Sequence, residues 1–406
     1  MQTNLAAFIK DTPQGREADS ILRACVHCGF CNATCPTYQL LGDELDGPRG
    51  RIYLIKQMLE GAAPSEKTRL HLDRCLTCRA CETTCPSGVK YGRLADIGRD
   101  LVEKRVERGI IDGAMRALMR TVLPNPVLFN PLLKLGQFAR PLLPEKIRRK
   151  IPRAAQPTAW PAAQRARRML LLEGCVQPAL APNINPATAR VLDRLGISLA
   201  RVPGCCGAIT YHLNYQEQGL AIIRRNIDAW WPQLEQGAEA LIINASGCGA
   251  MVKEYGNLLK DDAAYAAKAQ RISALAKDVS EIVAENKNNV AARAKKSGVN
   301  AKLAFHAPCT LQHALQIRGV VEPLLADMGF ELCEVPDAHL CCGSAGTYSL
   351  LQPELSGKLL ANKIAALESG QPERILTANI GCLAHLQSAT DLPVKHWIEA
   401  LDESLN

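Results

Sequence analysis

Apolar positions change their period along the chain, and the change divides it into two kinds of structure. Early on they recur at helical spacing: Ile52, Ile55 and Leu59 follow Pro48, and Leu94, Ile97, Leu101 and Val102 share one face further on. The spacing predicts one helix starting at Pro48, whose fixed φ suits a first helical turn, and another over about 91–107. Shorter helices are expected over about 17–24 and 65–74. From residue 167 onward, short apolar runs alternate with helical stretches. Strands are expected at 169–172, 198–202 and 240–244, with helices over about 187–195 and 216–230. The order then repeats: apolar residues from Leu303, a helix over 320–328, a strand at 331–335, a long helix over 353–369 and a strand at 374–378. Alternating strands and helices imply a parallel sheet in each copy.

Between the two kinds of structure lies a stretch without either period. Eight prolines fall between Pro124 and Pro161, too dense for one long helix. The expected fold class is therefore α plus α/β. A helical two-cluster ferredoxin domain over 1–115 leads through a Pro-rich basic connector over 116–165. Two duplicated α/β domains with parallel sheets follow, over 166–300 and 301–406, with 277–300 as a charged joining segment.

Composition adds bounds. A chain of 406 residues with 47% apolar content has room for two or three buried cores. Of the net charge of +8, the stretch from Lys134 to Arg168 supplies ten Lys or Arg against Glu145 alone, so the rest is close to neutral. A local basic belt points to an acidic partner or anionic lipid rather than nucleic acid, which 4% aromatic content also disfavours. The connector reads either as a platform against a membrane or a partner, or, the favoured reading, as a strap packed across the flanking domains. Met1 to Lys10 lacks the pattern of a secretory segment, and no apolar run approaches the roughly 18–20 residues that cross a bilayer. A reducing cytoplasmic setting is expected, where dense cysteine means metal rather than disulfide.

Seventeen cysteines carry the chemistry. Cys25, Cys28, Cys31 and Cys35 precede Pro36, and Cys75, Cys78, Cys81 and Cys85 precede Pro86, two runs of the form C-x2-C-x2-C-x3-C-P fifty positions apart. That is the spacing of two-cluster ferredoxins, in which the fourth thiolate of each run ligates the other cluster. Two 4Fe–4S clusters are expected, one on Cys25, Cys28, Cys31 and Cys85, the other on Cys75, Cys78, Cys81 and Cys35. Structural zinc, the alternative, takes two pairs rather than a run of four. Arg49 and Arg51 either offset the clusters' negative charge or sit on solvated helix positions.

In the duplicated half, a strand then a cysteine, a strand then Cys-Cys-Gly, and a strand then Gly-Cys recur in each copy. The sets are Cys175, Cys205, Cys206 and Cys248, and Cys309, Cys341, Cys342 and Cys382. All eight follow strands, where parallel sheets bind ligands. They read as a further iron–sulfur or metal centre, as a dithiol redox site, or as buried structural thiols. His306, His339 and His385 lie near the second set as hydrogen-bonding neighbours or ligands. Cys333 is expected inside a strand, buried as an apolar residue.

Two ferredoxin runs followed by two Cys-Cys-Gly domains resemble the iron–sulfur subunits of membrane-associated hydroxyacid dehydrogenases, bacterial glycolate oxidase in particular. The stretches carrying the resemblance are 23–31, 42–51, Asn226 to Pro232, and Leu340 to Tyr348. Subunits for anaerobic glycerol-3-phosphate oxidation, lactate utilisation and heterodisulfide reduction are more loosely similar. The resemblance implies FAD-binding partner subunits that oxidise glycolate to glyoxylate, a quinone or other membrane acceptor, and a peripheral place on the inner face of the cell membrane. One departure matters: where heterodisulfide reductases end each domain in C-x-x-C, this chain has Met251 after Cys248 and His385 after Cys382. That disfavours the rival reading, a thiol enzyme cleaving disulfides. No G-x-G-x-x-G follows a strand and no P-loop is present, so hydride removal must occur elsewhere and this chain relays electrons. A third reading keeps electron transfer in the ferredoxin half and makes the rest a scaffold.

Overall fold

The computed structural model describes residues 1–289 and 301–405. Its N-terminal module is helical. Helices Pro13–Ala24, Pro48–Leu59, Glu66–Asp73 and Tyr91–Glu103 surround a core of Leu22, Ile52, Ile55, Leu59, Leu72, Leu94, Ile97 and Val102. Local signals start each helix. Thr12 accepts from the Gly15 N–H ahead of Pro13, Pro48 opens the second helix, and Ser65 forms a capping box with Thr68. Gly98 lets the second and fourth of these helices touch: a Cβ there would lie 2.5 Å from the Ile55 side chain. Gly98→Ala forces that contact apart. The cysteines sit on short helices and loops at one edge, Phe30–Ala33, Pro36–Leu41 and Ala80–Thr84.

The connector departs from a packed strap. Helix Ile110–Val122 straddles residue 116 and belongs with the first module, since buried Arg116 pairs with Asp73 and Asp112. Residues near Trp160 pack on the next domain, where Arg190 donates to Thr158 and to the Ala159 carbonyl. The middle makes one ion pair, Arg149 with Asp391 of the second α/β domain, and otherwise packs little. Helix Pro126–Ala139 tolerates Pro131 within it and buries no residue. Val127, Leu135, Phe138 and Leu142 stand 79%, 63%, 86% and 89% exposed. The strap is thus tied at its ends and at Arg149, while helix Pro126–Ala139 is not packed down. The basic belt also divides: Arg165 pairs with Asp193 and Arg167 with Glu239, both facing the first α/β domain.

Each α/β domain is built on a four-stranded parallel sheet. The first comprises β1 (Arg167–Leu172), β2 (Ile197–Val202), β3 (Leu241–Ile243) and β4 (Ala276–Asp278), in spatial order β2-β1-β3-β4. The second comprises β5 (Lys302–His306), β6 (Glu331–Leu332), β7 (Arg374–Thr377) and β8 (Val394–His396), in order β6-β5-β7-β8. The chain reverses its direction of travel between β1 and β3, and again between β5 and β7. Those are the switch points where open parallel sheets bind ligands. The fourth strands escaped sequence reading because three residues give no period. The 277–300 segment is accordingly no mere linker: it begins with β4 and helix Val279–Glu285, while 290–300 lie outside the described residues. Strand β6 stops at Leu332, so Cys333 is in an irregular, half-buried stretch, its thiol against the Gly370 carbonyl.

The two α/β domains share one apolar cluster. Helix Ile184–Arg194 lies against helix Trp397–Ser404, and Asp402, 4% exposed, receives both Arg190 and Arg194. The ferredoxin module rests on both domains. Arg79 reaches Glu254, Arg93 reaches Glu17 and Tyr211, and Lys260 reaches Glu17. Burial alone would push the Glu17 carboxyl up; hydrogen bonds and charge from Arg93 and Lys260 outweigh it and bring its pKa from 4.5 down to about 2. A depressed carboxylate stabilises the fold above the unfolded value and ceases to as pH falls through the folded one. Glu17→Gln should therefore cost about 1–2 kcal/mol at pH 7 after screening. The gap to the wild type should begin to close below pH 4.5, as measured in anaerobic denaturant melts. A pH-independent gap rejects this account.

Candidate metal centres

Both cysteine runs fold over the same strained turn. In the first, His27 (φ 61°) and Gly29 (φ 88°) are left-handed; in the second, the equivalent Thr77 (φ 55°) and Arg79 (φ 60°) are too. A left-handed residue other than glycine costs about 1–3 kcal/mol. Three such residues in two matching loops curl successive thiols toward a single point.

The thiols gather into two groups. One cavity, partly open to solvent, is lined by Cys25, Cys28, Cys31, Cys81 and Cys85. Burial pushes the Cys31 thiol up to about 11, and the nearby Cys25, Cys85 and Cys28 push in the same direction. A second, smaller cavity is walled by Cys35, Cys75, Cys78 and Cys81. The fourth thiol of each run thus lies with the other run. Cys28 is exposed, and Val26 and Phe30 beside it are 69% and 62% exposed, so the first group opens to the surface.

The second group is buried and surrounded by cations. Arg51, 1% exposed, pairs with fully buried Asp46, donates to Thr37 and to the His71 carbonyl, and lies 4.0 Å from the Cys35 Sγ. Asp46 is held further by Arg74 and His71. Buried Arg99 donates to the carbonyls of Leu72 and Cys75 and to Thr77. Burial would raise the Cys75 thiol, yet Arg51 and Arg99, with hydrogen bonds from Tyr91 and the Thr77 N–H, bring it down. Of the two arginines singled out in the sequence, Arg51 is the buried one; Arg49 pairs with Glu44 in partial solvent beside the first group. Arg99 and Tyr91 went unrecognised. A charged residue at a core position of an amphipathic helix was the available signal.

Each α/β domain brings its four thiols to the strand ends. In the first, Cys175 touches Cys205, Cys205 touches Cys206, and Cys206 touches Cys248. Hydrogen bonds from its neighbours bring the Cys205 thiol down to about 4, while Cys175 and Cys206 rise. Asn226 donates to the Cys205 carbonyl and to Tyr255, whose hydroxyl donates to the Cys206 carbonyl, so helix Gln216–Glu235 fixes the cysteine pair. Nothing in the sequence reading marked Tyr255. In the second domain Cys309 and Cys341 stand 3.7 Å apart, and the contacts continue through Cys342 to Cys382. Lys363 is buried nearby, its Nζ on the Asp337 carbonyl; burial lowers its pKa against the pull of Cys342 and Cys341.

The three histidines differ. His339 lends only its carbonyl, to His313. His385 stands against the Ser356 hydroxyl, which donates to the Gly343 carbonyl. His306 is 2% exposed, and burial drives its pKa down to about 3, so it is neutral. Its Nδ1 meets the Thr377 hydroxyl at 3.0 Å, and its Nε2 has no partner among the described residues. An orphaned buried nitrogen costs about 1–3 kcal/mol. A ring nitrogen of His306 and the Sγ atoms of Cys342 and Cys382 lie within 4.8 Å of one another.

The modules meet at their thiols. Leu76, Cys309, Cys341, Tyr348, Leu355 and Leu359 form one buried cluster with Cys78 against it. After burial itself, Cys309 is the strongest influence raising the Cys78 thiol, and Cys78 in turn bears on Cys341. Thr83 of the ferredoxin module also meets His313 at 2.9 Å, and the Tyr348 hydroxyl donates to the Arg74 carbonyl. The second group of the ferredoxin module thus packs, through Cys78, on the buried cluster that holds Cys309 and Cys341 of the second α/β domain.

Comparison with known proteins agrees with this architecture. A 4Fe-4S dicluster domain matches residues 21–89, and a cysteine-rich domain matches twice, over 169–253 and 303–387. The glycolate oxidase iron-sulfur subunit of Escherichia coli (strain K12) is 58% identical over 100% of this chain and 99% of its own length. A probable glycolate oxidase iron-sulfur subunit of Bacillus subtilis (strain 168) is 32% identical over 89% of this chain and 88% of its own. Lactate utilization protein A of the same organism is 25% identical over 56% of this chain and 96% of its own. The dicluster domain supports iron–sulfur clusters and an electron-transfer role, within an oxidoreductase that has at least one further subunit. With two thirds and more of two such relatives matched at this level, the chain belongs to the family of glycolate oxidase iron-sulfur subunits.

Proposed function

We propose that this chain carries single electrons from an FAD-binding partner, which oxidises glycolate to glyoxylate, to a quinone or another membrane acceptor. Cys25, Cys28, Cys31 and Cys85 hold one 4Fe–4S cluster, and Cys75, Cys78, Cys81 and Cys35 the other. The surface-facing first group, rimmed by Val26 and Phe30, suits the docking of the flavin partner. The observation that carries the reading is the packing of Cys78 against the buried cluster that holds Cys309 and Cys341. It supports a continuous line from the exposed group, through the buried one, to the second cysteine-rich domain. When bound, the clusters supply one-electron redox steps; the protein's part is to exclude water and balance charge. Arg51 and Arg99 hold positive charge against the buried thiolates, which favours uptake of a further electron there.

The exposed apolar helix Pro126–Ala139, with Lys134, Lys146, Lys150 and Arg153 on and after it, supports a peripheral seat on anionic lipid at the inner face of the cell membrane. No helix among the described residues is long and apolar enough to cross a membrane.

Three measurements test these statements. Cys78→Ser should remove about four of the roughly eight ferredoxin irons per chain in the anaerobically purified complex. It should also stop quinone reduction while glycolate still bleaches the partner's flavin; undiminished quinone reduction rejects the relay. Arg51→Met should shift the reduction potential of the buried cluster to a more negative value in an EPR-monitored titration. The same change should destabilise the fold by about 3–5 kcal/mol, because Asp46 loses a buried partner; an unchanged potential removes Arg51 from the charge balance. Phe138→Glu with Leu135→Glu should release the complex from anionic vesicles in flotation, with thermal stability altered by no more than about 0.5 kcal/mol. Full retention on the vesicles rejects the membrane seat.

A further inference from the structure

The two cysteine-rich copies are not equivalent, and one difference falls on a matched pair of strand positions beside the thiols. In the first copy Leu172 on β1 lies beside Ile243 on β3, both buried in an apolar cluster. Counting back from Cys175 and Cys248, the same positions before Cys309 and Cys382 are His306 and Thr377, paired in register on β5 and β7. An apolar pair in one core has become a polar pair in the other. The exchange is not self-satisfying. Thr377 occupies Nδ1 at 3.0 Å and leaves Nε2 buried without a hydrogen bond among the described residues. Core packing alone gains nothing from such a nitrogen, since leucine fills the corresponding place in the sister domain.

What the arrangement does provide is a ligand. A ring nitrogen of His306 and the Sγ atoms of Cys342 and Cys382 converge within 4.8 Å, and the three residues are 2%, 1% and 5% exposed. Metal-bound histidines characteristically give their second nitrogen to a neighbour that sets tautomer and ring orientation, which is the part Thr377 plays here. The Asn379 side-chain amide, 3.4 Å from the Cys382 Sγ, donates to that sulfur, as a thiolate ligand would require. Two thiolates and a neutral imidazole leave a divalent ion uncharged overall, which a buried site accepts. The next thiol, Cys341, touches Cys342 and completes the reach toward Cys309 and the ferredoxin module.

We infer that His306 Nε2, with Cys342 and Cys382, ligates a thiophilic metal centre in the second cysteine-rich domain, a mixed nitrogen–sulfur site that the first domain, with leucine at the same position, does not share. The ligand chemistry is common to a single zinc or iron ion and to an iron–sulfur centre. In an iron–sulfur centre, nitrogen in place of sulfur raises the reduction potential, which would make this site an electron sink at the end of the line. The inference goes beyond the relay reading and does not need glycolate as the substrate.

The test uses the full chain in its anaerobically purified complex. Iron, zinc and sulfide are counted for the wild type and for His306→Leu, which copies the first domain's residue and keeps the core apolar. The wild type should carry metal beyond the roughly eight irons of the ferredoxin clusters. The leucine variant should lose that excess and keep those irons. Loss of zinc identifies a single ion, and loss of iron with sulfide identifies a cluster; either supports the site. Thr377→Val, a milder change, should release the excess metal to a chelator at about 10–100-fold lower concentration. On the wild type alone, nitrogen should be found at the excess metal, by X-ray absorption for zinc or pulsed EPR for iron. A wild type with no metal beyond the ferredoxin irons overturns the inference, as does an excess that survives in both variants or has no nitrogen ligand. Each of those outcomes leaves the eight ferredoxin thiolates and the relay untouched.

Discussion

Eight thiols meeting in two crossed groups are the constraint on which the molecule depends. Because Cys85 lies with the first run and Cys35 with the second, neither run is complete alone. The helices between them must therefore return the chain over a fifty-residue interval to close both groups. The left-handed residues in both loops, the Gly98 contact between helices and the Asp46 network under the buried group all serve that closure. Concentrated negative charge is the associated cost. The structure answers it with Arg51 and Arg99 in a dry environment, where each charge acts at much lower dielectric than on the surface.

The duplicated half applies the same principle with a different scaffold. Parallel sheets leave their switch points open between β1 and β3 and between β5 and β7, and the chain puts thiols there. Duplication gives two sets, but the ferredoxin module seats its buried group against only the second set's Cys309 and Cys341. Position and chemistry then diverge together. The copy nearest the clusters is also the one with His306 and Thr377 in place of Leu172 and Ile243. The first copy, its cysteine pair held by Asn226 and Tyr255, supports the module's flank through Glu254, Tyr211 and Lys260.

The connector has the opposite character. Its ends are tied down by Arg116 and by the residues around Trp160, while helix Pro126–Ala139 keeps an apolar surface in solvent. Such a surface is unfavourable for an isolated chain and indicates that something else covers it in the working complex. The packed strap expected from the sequence is tied at its ends and at Arg149, and not along helix Pro126–Ala139, because proline density and charge report what a segment is made of, not what lies opposite it.

The two cysteine runs, the helical module, the duplication and the parallel sheets were legible in the sequence, because each is written in spacing: ligand spacing, a 3.6-residue period, strand followed by glycine and cysteine. The sequence also placed the eight later thiols at strand ends. Three things it left open were decided by tertiary structure. Strands β4 and β8, three residues each, exist only through their neighbours' hydrogen bonds and have no local pattern to announce them, and β6 keeps two residues of the expected 331–335, which leaves Cys333 outside it. Burial separated Arg51 from Arg49 and His306 from His339 and His385, since a titratable residue's environment depends on elements far away in the chain. And the packing of Cys78 on the cluster that holds Cys309 and Cys341 joins residues of separate modules, which spacing within either one cannot encode.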